Sequence, residues 1–109
     1  MMENKVVLIT GASQGIGFAI AKKFGQNKAK LALNEIPSQE EKLKEIIKEF
    51  EKEGVVAKYF LADVSKYEEV EKMMEEIKKE FGRLDVLVNN AGIIADRTLA
   101  KMTKEEWQK

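Results

Sequence analysis

Short apolar runs alternate along this chain with longer segments whose apolar residues recur at helical spacing. Val6-Val7-Leu8-Ile9 is a β-branched run that stops at Thr10-Gly11 and predicts a strand buried on both faces. A glycine-rich turn follows, and then Ile16, Ala19, Ile20 and Phe24 trace one helical face that ends near Gly25-Gln26-Asn27. Leu31-Ala32-Leu33 predicts a second strand, and the segment from Pro37 to Lys52 places Leu43, Ile46, Ile47 and Phe50 on one side of a second helix. Gly54 stops that helix. Val55 to Leu61 supplies a third strand, followed by a third helix carrying Val70, Met73, Met74, Ile77 and Phe81 and ending at Gly82. The fourth strand is the run from Leu84 to Val88, extending to Asn89, after which Thr103-Lys104-Glu105-Glu106 has the form of a helix N-terminus.

Strands alternating with amphipathic helices predict an open, parallel α/β sheet covered on both faces, with right-handed crossovers. The 109 residues suit one domain, 1–109. Nineteen basic residues balance nineteen acidic ones, which argues against nucleic acid or anionic lipid as a partner. No apolar run approaches a membrane span or a signal segment, so a cytoplasmic protein is expected. Without cysteine or histidine, disulfides, thiolate nucleophiles, the usual zinc sites and histidine acid–base chemistry are excluded, and no metal ligand is assigned. Met73, Met74, Phe24, Phe50 and Phe81 are read as core, and the Glu/Lys-rich stretch from Gln39 to Glu53 as a solvated helix face.

The segment Thr10-Gly11-Ala12-Ser13-Gln14-Gly15-Ile16-Gly17 joins a strand to a helix, where unpaired backbone N–H groups and the positive helix end favour a phosphate. A Walker loop would need lysine and then serine or threonine after the last glycine, and Ile16-Gly17 stands there instead. Gly11-x-Ser13-x-Gly15 formally matches the nucleophile elbow of hydrolases, but a serine nucleophile needs a base and the chain has no histidine. The Gly-x-Gly-x-x-Gly dinucleotide fingerprint is also unmatched, because the glycines fall at 11, 15 and 17. A tight connection that binds nothing remains the structural alternative.

Three segments in order, each just after a predicted strand, carry a resemblance. They are Thr10-Gly-x-x-x-Gly15-Ile16-Gly17, Asp63-Val64 and Asn89-Asn90-Ala91-Gly92. Together they resemble the short-chain dehydrogenase/reductase family over nearly the whole chain. The tail from Gly92 through Asp96 to Trp107 is similar to the branch of 3-oxoacyl-acyl-carrier-protein and acetoacetyl-CoA reductases. The resemblance implies a Rossmann-type doubly wound parallel sheet, strand order 3-2-1-4, corresponding to the N-terminal half of the family's fold and stopping before its catalytic half.

It also implies residue roles. Gly11 to Gly17 become the pyrophosphate turn, with Ser13, Gln14 and Ile16 lining it, Gly11 and Gly15 permitting the bend, and Gly17 letting helix and strand pack closely. Asp63 would accept from the adenine amine and Val64 supply apolar contact, although an Asp63–Ser65 helix cap is the alternative reading. Asn90, Ala91 and Gly92 approach the adenosine ribose, while Asn89 ties strands together. Glu35 ends the second strand near the offset at which a carboxylate binds the ribose hydroxyls of NAD, and Gln14 stands where NADP-dependent relatives carry a basic residue. NAD(H) is therefore expected over NADP(H). The implied reaction is hydride transfer between the cofactor and a carbonyl or secondary alcohol, with a small molecule or acyl thioester as substrate and a homo-oligomer as the complete assembly. No catalytic residue is assigned: the only tyrosines, Tyr59 and Tyr67, are followed four residues on by Asp63 and Glu71, so neither forms the family's Tyr-x-x-x-Lys pair. The chain alone is expected to be inactive, to bind cofactor weakly and to expose Val86, Leu87 and Val88 on an unpaired edge. A noncatalytic dinucleotide-binding module or an interaction fragment is the alternative.

Overall fold

A computed structural model of the chain describes residues 2–91. Its elements are β1 (Val6–Ile9), α1 (Gly15–Gln26), β2 (Lys30–Glu35), a 3₁₀ turn (Pro37–Gln39), α2 (Glu40–Lys52), β3 (Ala57–Leu61), α3 (Tyr67–Phe81) and β4 (Val86–Val88). The strands form one parallel sheet in the order β3-β2-β1-β4. Among the described residues no helix is long and apolar enough to cross a membrane.

Strand alternation sorts the apolar side chains into two cores. Val7 and Ile9 of β1, Leu31 and Leu33 of β2, and Ala57 of β3 face α1 and α2, where they meet Ala21, Leu43, Ile46 and Phe50. The intervening residues Leu8, Ala32 and Phe60 face α3 and meet Val70, Met73, Met74 and Ile77. β1 is buried throughout because it lies between β2 and β4 and is covered on both faces, which is why its sequence does not alternate. Burying one such Leu, Ile or Met stabilises the fold by about 1.5–3 kcal/mol. Edge-to-face packing of Phe18 on Phe50, centroids 6.3 Å apart, joins α1 to α2.

Element boundaries depart from the sequence pattern where polar groups take over. β2 runs past its apolar segment because Asn34 and Glu35 continue the register opposite Phe60 and Leu61. The Asn34 side chain, fully buried, donates to the Phe60 and Ala62 carbonyls at 3.1 and 3.2 Å and so binds β2 to the end of β3. β3 is shorter than expected at its start, since Val55 N donates back to Phe50 O and closes α2. Pro37 begins a 3₁₀ turn rather than α2, which starts at Glu40. α3 ends at Gly82, whose φ of +75° is the left-handed C-terminal stop expected of glycine. β4 pairs with β1 alone among the described residues, and Val86, Leu87 and Val88 are half-buried. The expected helix near Thr103 and the Asp96-to-Trp107 segment lie outside the described residues.

Candidate functional site: the turn between β1 and α1

The site is assembled where the chain leaves the C-terminal ends of the parallel strands. Thr10, fully buried, follows β1, and its hydroxyl oxygen accepts from Asn90 N and Ala91 N, each at 3.0 Å. The same oxygen lies 3.5 Å from the Val88 carbonyl and from Asn89 Oδ1, the two acceptors within reach of its proton. Asn90 Nδ2 donates to the Gly11 carbonyl at 3.0 Å.

Gly11 has φ of +59° and lies so close to Ala91 that an added Cβ would come 3.3 Å from Ala91 Cα. Gly17 is the more constrained: a Cβ there would overlap the Gly11 carbonyl oxygen and sit 2.5 Å from Asn90 Nδ2. The close approach expected between helix and strand is therefore one between α1, the turn's own carbonyl and the Asn90 side chain. Gly15 differs again. Its φ is +57°, but a Cβ would meet nothing within 4 Å, so the space over it is open.

β2 grips the other flank of the turn. Ala12 N donates to Asn34 O at 3.0 Å. Ser13, only 1% exposed, donates to Glu35 Oε2 through its amide at 3.1 Å and through its hydroxyl at 2.6 Å. Glu35 Oε1 accepts from Ile36 N at 3.2 Å. Gln14 precedes α1 in extended conformation, and its side-chain oxygen accepts from Lys42 Nζ of α2 at 3.3 Å. No side chain caps α1 and no acidic residue lies in its first turn, so nothing on the helix neutralises its positive end. Ile16 in that first turn is 72% exposed.

Asp63 lies on the same edge, one residue beyond Ala62, whose amide donates to Glu35 O at 3.0 Å. Its Oδ1 accepts from Ser65 N at 3.0 Å and Ser65 Oγ at 2.7 Å, and these bonds hold its carboxyl below the usual carboxylate range. These bonds close a turn ahead of α3, whose own N-cap, Lys66, makes no side-chain cap bond, and Glu69 Oε1 accepts from Asp63 N at 2.7 Å. Val64 is buried and packs in the α3 core, so its side chain is committed to the fold. The structure thus links Gly11, Ser13, Glu35, Asn90 and Ala91 in one hydrogen-bonded frame, with Gln14, Gly15 and Ile16 along its open rim and Gly17 buried against the frame. Gly92 lies outside the described residues.

Thr10, Asn34, Ile36 and Lys42 belong to this frame although sequence reasoning assigned them no site role. Thr10 and Asn34 carry a usable signal, a polar residue directly ending or interrupting a buried apolar run. Ile16, Ile36 and Tyr67, three of the four large apolar residues exposed among those described, all follow the C-terminal end of a strand.

The family model for short chain dehydrogenases matches residues 5–109. The chain belongs to the short-chain dehydrogenase family. It is 40% identical over 104 residues to the 3-oxoacyl-acyl-carrier-protein reductase FabG of Staphylococcus epidermidis, a match covering 95% of this chain and 42% of that protein. Among solved structures, a metagenomic short-chain oxidoreductase in complex with NADP superposes with a TM-score of 0.77 at 36% identity, covering 84% of this chain and 41% of that one. A Haemophilus influenza protein described as a putative D-mannonate oxidoreductase with bound NAD gives a TM-score of 0.72 at 30% identity, covering 79% of this chain and 30% of its own. This short-chain dehydrogenase chain therefore spans about two fifths of the length of the reductase it matches. Its 3-2-1-4 sheet is the Rossmann-type arrangement that the resemblance implied.

Proposed function

We propose that residues 1–109 form the dinucleotide-binding part of an NAD(P)-dependent oxidoreductase that interconverts a carbonyl and a secondary alcohol, with a 3-oxoacyl thioester as the substrate. The observation that carries this reading is the turn itself: an uncapped helix end and open space over Gly15, on a frame held by the Thr10, Ser13, Glu35 and Asn90 side chains. A pyrophosphate suits that place, because backbone N–H groups and the helix dipole favour an anion and no side chain obstructs its approach. The nicotinamide of a bound cofactor supplies the hydride. The chain's own residues supply binding: Gly11 to Gly17 for the pyrophosphate, Asn90, Ala91 and Gly92 toward the ribose, and Asp63 toward the adenine, with Val64 left only its backbone to offer there because its side chain is in the α3 core. Oδ1 of Asp63 is engaged by Ser65, so its other oxygen is the acceptor left for the adenine amine. Substrate choice draws its support from the reductase named above.

Within this reading NAD(H) is favoured, because the Glu35 carboxylate stands at the tip of β2 where a 2′-phosphate would meet like charge. Lys42, brought to Gln14, is the nearby cation that opposes this preference. A second reading, a dinucleotide-binding module without chemistry, is favoured by the tyrosines. Tyr59 donates to Glu40 Oε2 at 2.8 Å, and that bond, with burial, holds its phenol above its ordinary value, the reverse of an activated proton donor. The exposed Tyr67 lies 3.5 Å from Glu71. The test is titration of the purified chain with NADH and NADPH, together with an assay of carbonyl-dependent NADH oxidation. Binding with background oxidation supports a binding part that lacks its own proton donor. Turnover comparable to full-length reductases eliminates the second reading, and no binding of either dinucleotide eliminates both.

A further inference from the structure

We propose that Glu35 is a positioning residue that sets the shape of the glycine turn through Ser13, and so governs affinity for both dinucleotides rather than only choosing between them. This inference rests on the turn being a dinucleotide site.

Residues 12 and 13 hang on consecutive residues of β2. Ala12 does so through the Asn34 carbonyl and Ser13 through the Glu35 carboxylate. The segment between them and the helix is bounded by Gly11 and Gly15, both at positive φ, the residues that offer least resistance to backbone rotation. Stiffness must therefore come from side-chain ties. Ser13 gives Glu35 Oε2 both of its donors, at 3.1 and 2.6 Å, in a setting where Ser13 is 1% and Glu35 9% exposed. Glu35 is itself fixed, by Ile36 N on its other oxygen and by the Ala62 amide on its backbone carbonyl. Charge-assisted bonds in so dry a place are the strongest ties the turn possesses.

A carboxylate that merely faced the ribose would, when removed, relieve repulsion of a 2′-phosphate and exchange one preference for the other. A carboxylate that tethers Ser13 leaves the segment between the two glycines loose when removed, and the amides that meet the pyrophosphate lose their alignment for either cofactor. Glutamine separates these roles, since its carbonyl oxygen still accepts from Ser13 while its charge is gone.

The experiment measures NADH and NADPH dissociation constants for the 109-residue chain, Glu35→Ala, Glu35→Gln and Ser13→Ala, and the exchange rate of the Ser13 amide hydrogen without cofactor. Glu35→Ala is expected to weaken both cofactors by about tenfold, the scale of one lost charge-assisted bond. Glu35→Gln should hold NADH to within about threefold and strengthen NADPH, and Ser13→Ala, which keeps the amide bond, should weaken both by a smaller factor. Slow exchange at Ser13 in the unaltered chain and in Glu35→Gln, but fast exchange in Glu35→Ala, completes the expected result. Should Glu35→Ala not fold, the glutamine and alanine variants at 35 and 13 and the exchange rates decide. Improved NADPH binding by Glu35→Ala matching that of Glu35→Gln overturns the proposal, as does a Ser13 amide that exchanges freely in the unaltered chain. Failure of the unaltered chain to bind either dinucleotide overturns it too, and marks the functional reading as the cause before any substitution is made.

Discussion

At the N-terminal end of β1 the Asp85 carboxylate accepts from Val6 N at 2.8 Å while Arg83 donates to both of its oxygens at 2.9 and 2.8 Å. At the C-terminal end the Thr10 hydroxyl accepts from the amides of Asn90 and Ala91. Both devices tie β1 to the chain around β4 with a side chain in place of a backbone group, but their chemistry differs. The lower tie is a partly exposed ion pair that titrates. The upper one is a neutral, fully buried hydroxyl. The difference matches what each end faces. A carboxylate in place of Thr10 would set a negative charge beside the positive end of α1 and, on the function proposed above, compete with a phosphate, whereas Asp85 stands at the opposite end of β1 from that helix end. The two flanks of the upper turn differ in the same way, since the only carboxylate among its ties, Glu35, sits on the β2 side.

The sharpest break in this comparison comes from Gly17→Ala. Its Cβ has no room against the Gly11 carbonyl, so the upper tie should be pushed apart at a cost of about 3 kcal/mol, read as a lower urea midpoint, with loss of cofactor binding. Thr10→Val comes next. It leaves two backbone donors without their acceptor and should cost about 2–3 kcal/mol, equally at pH 4 and pH 8, whereas Thr10→Ser should restore most of the loss. Gly15→Ala has space but the wrong φ, so about 1–2 kcal/mol is expected. Calorimetric titration should show a larger fractional loss of cofactor affinity for Gly15→Ala than denaturation shows for stability, because the new methyl projects into the open rim.

Asp85→Asn has the smallest expected effect at neutral pH and tests the lower tie by its pH dependence. Bonds from Arg83 hold the Asp85 carboxyl below the usual range, so its folded value lies under its unfolded one. The stability this contributes is present above the unfolded value, near pH 4, and is lost as pH falls through the depressed folded value. Thermal melts from pH 6 to pH 2 should show the unaltered chain losing more than Asp85→Asn. Parallel losses would remove the distinction between a titrating lower tie and a neutral upper one.

Legibility followed the periodicity of burial. Leu43, Ile46 and Phe50, and Val70, Met73, Met74 and Ile77, occupy the buried faces expected of them because a helix repeats its contacts along the chain. Gly82 ends α3 as expected because a left-handed stop is a local event. The site was legible at its glycines, where a tight turn demands a residue type, and illegible at its ties. Nothing near Thr10 in the sequence points to Asn90, 80 residues on. Glu35 was expected at a ribose, and its bond to Ser13, 22 positions and an entire helix earlier in the chain, left no trace in the local sequence.

Hydrophobic spacing and residue type thus determined, from the sequence by itself, that this chain makes parallel strands crossed over by amphipathic helices and turns sharply after β1, because those properties depend on neighbours within a few residues. Only the tertiary structure decided which glycine is sterically required and which merely leaves space, that Asp63 closes a turn on Ser65 ahead of α3, that Asn34 carries β2 beyond its apolar run, and that Glu35 grips the turn. Each of these depends on polar groups from different strand ends meeting in a place too dry for water to satisfy them, and that encounter is set by the sheet order.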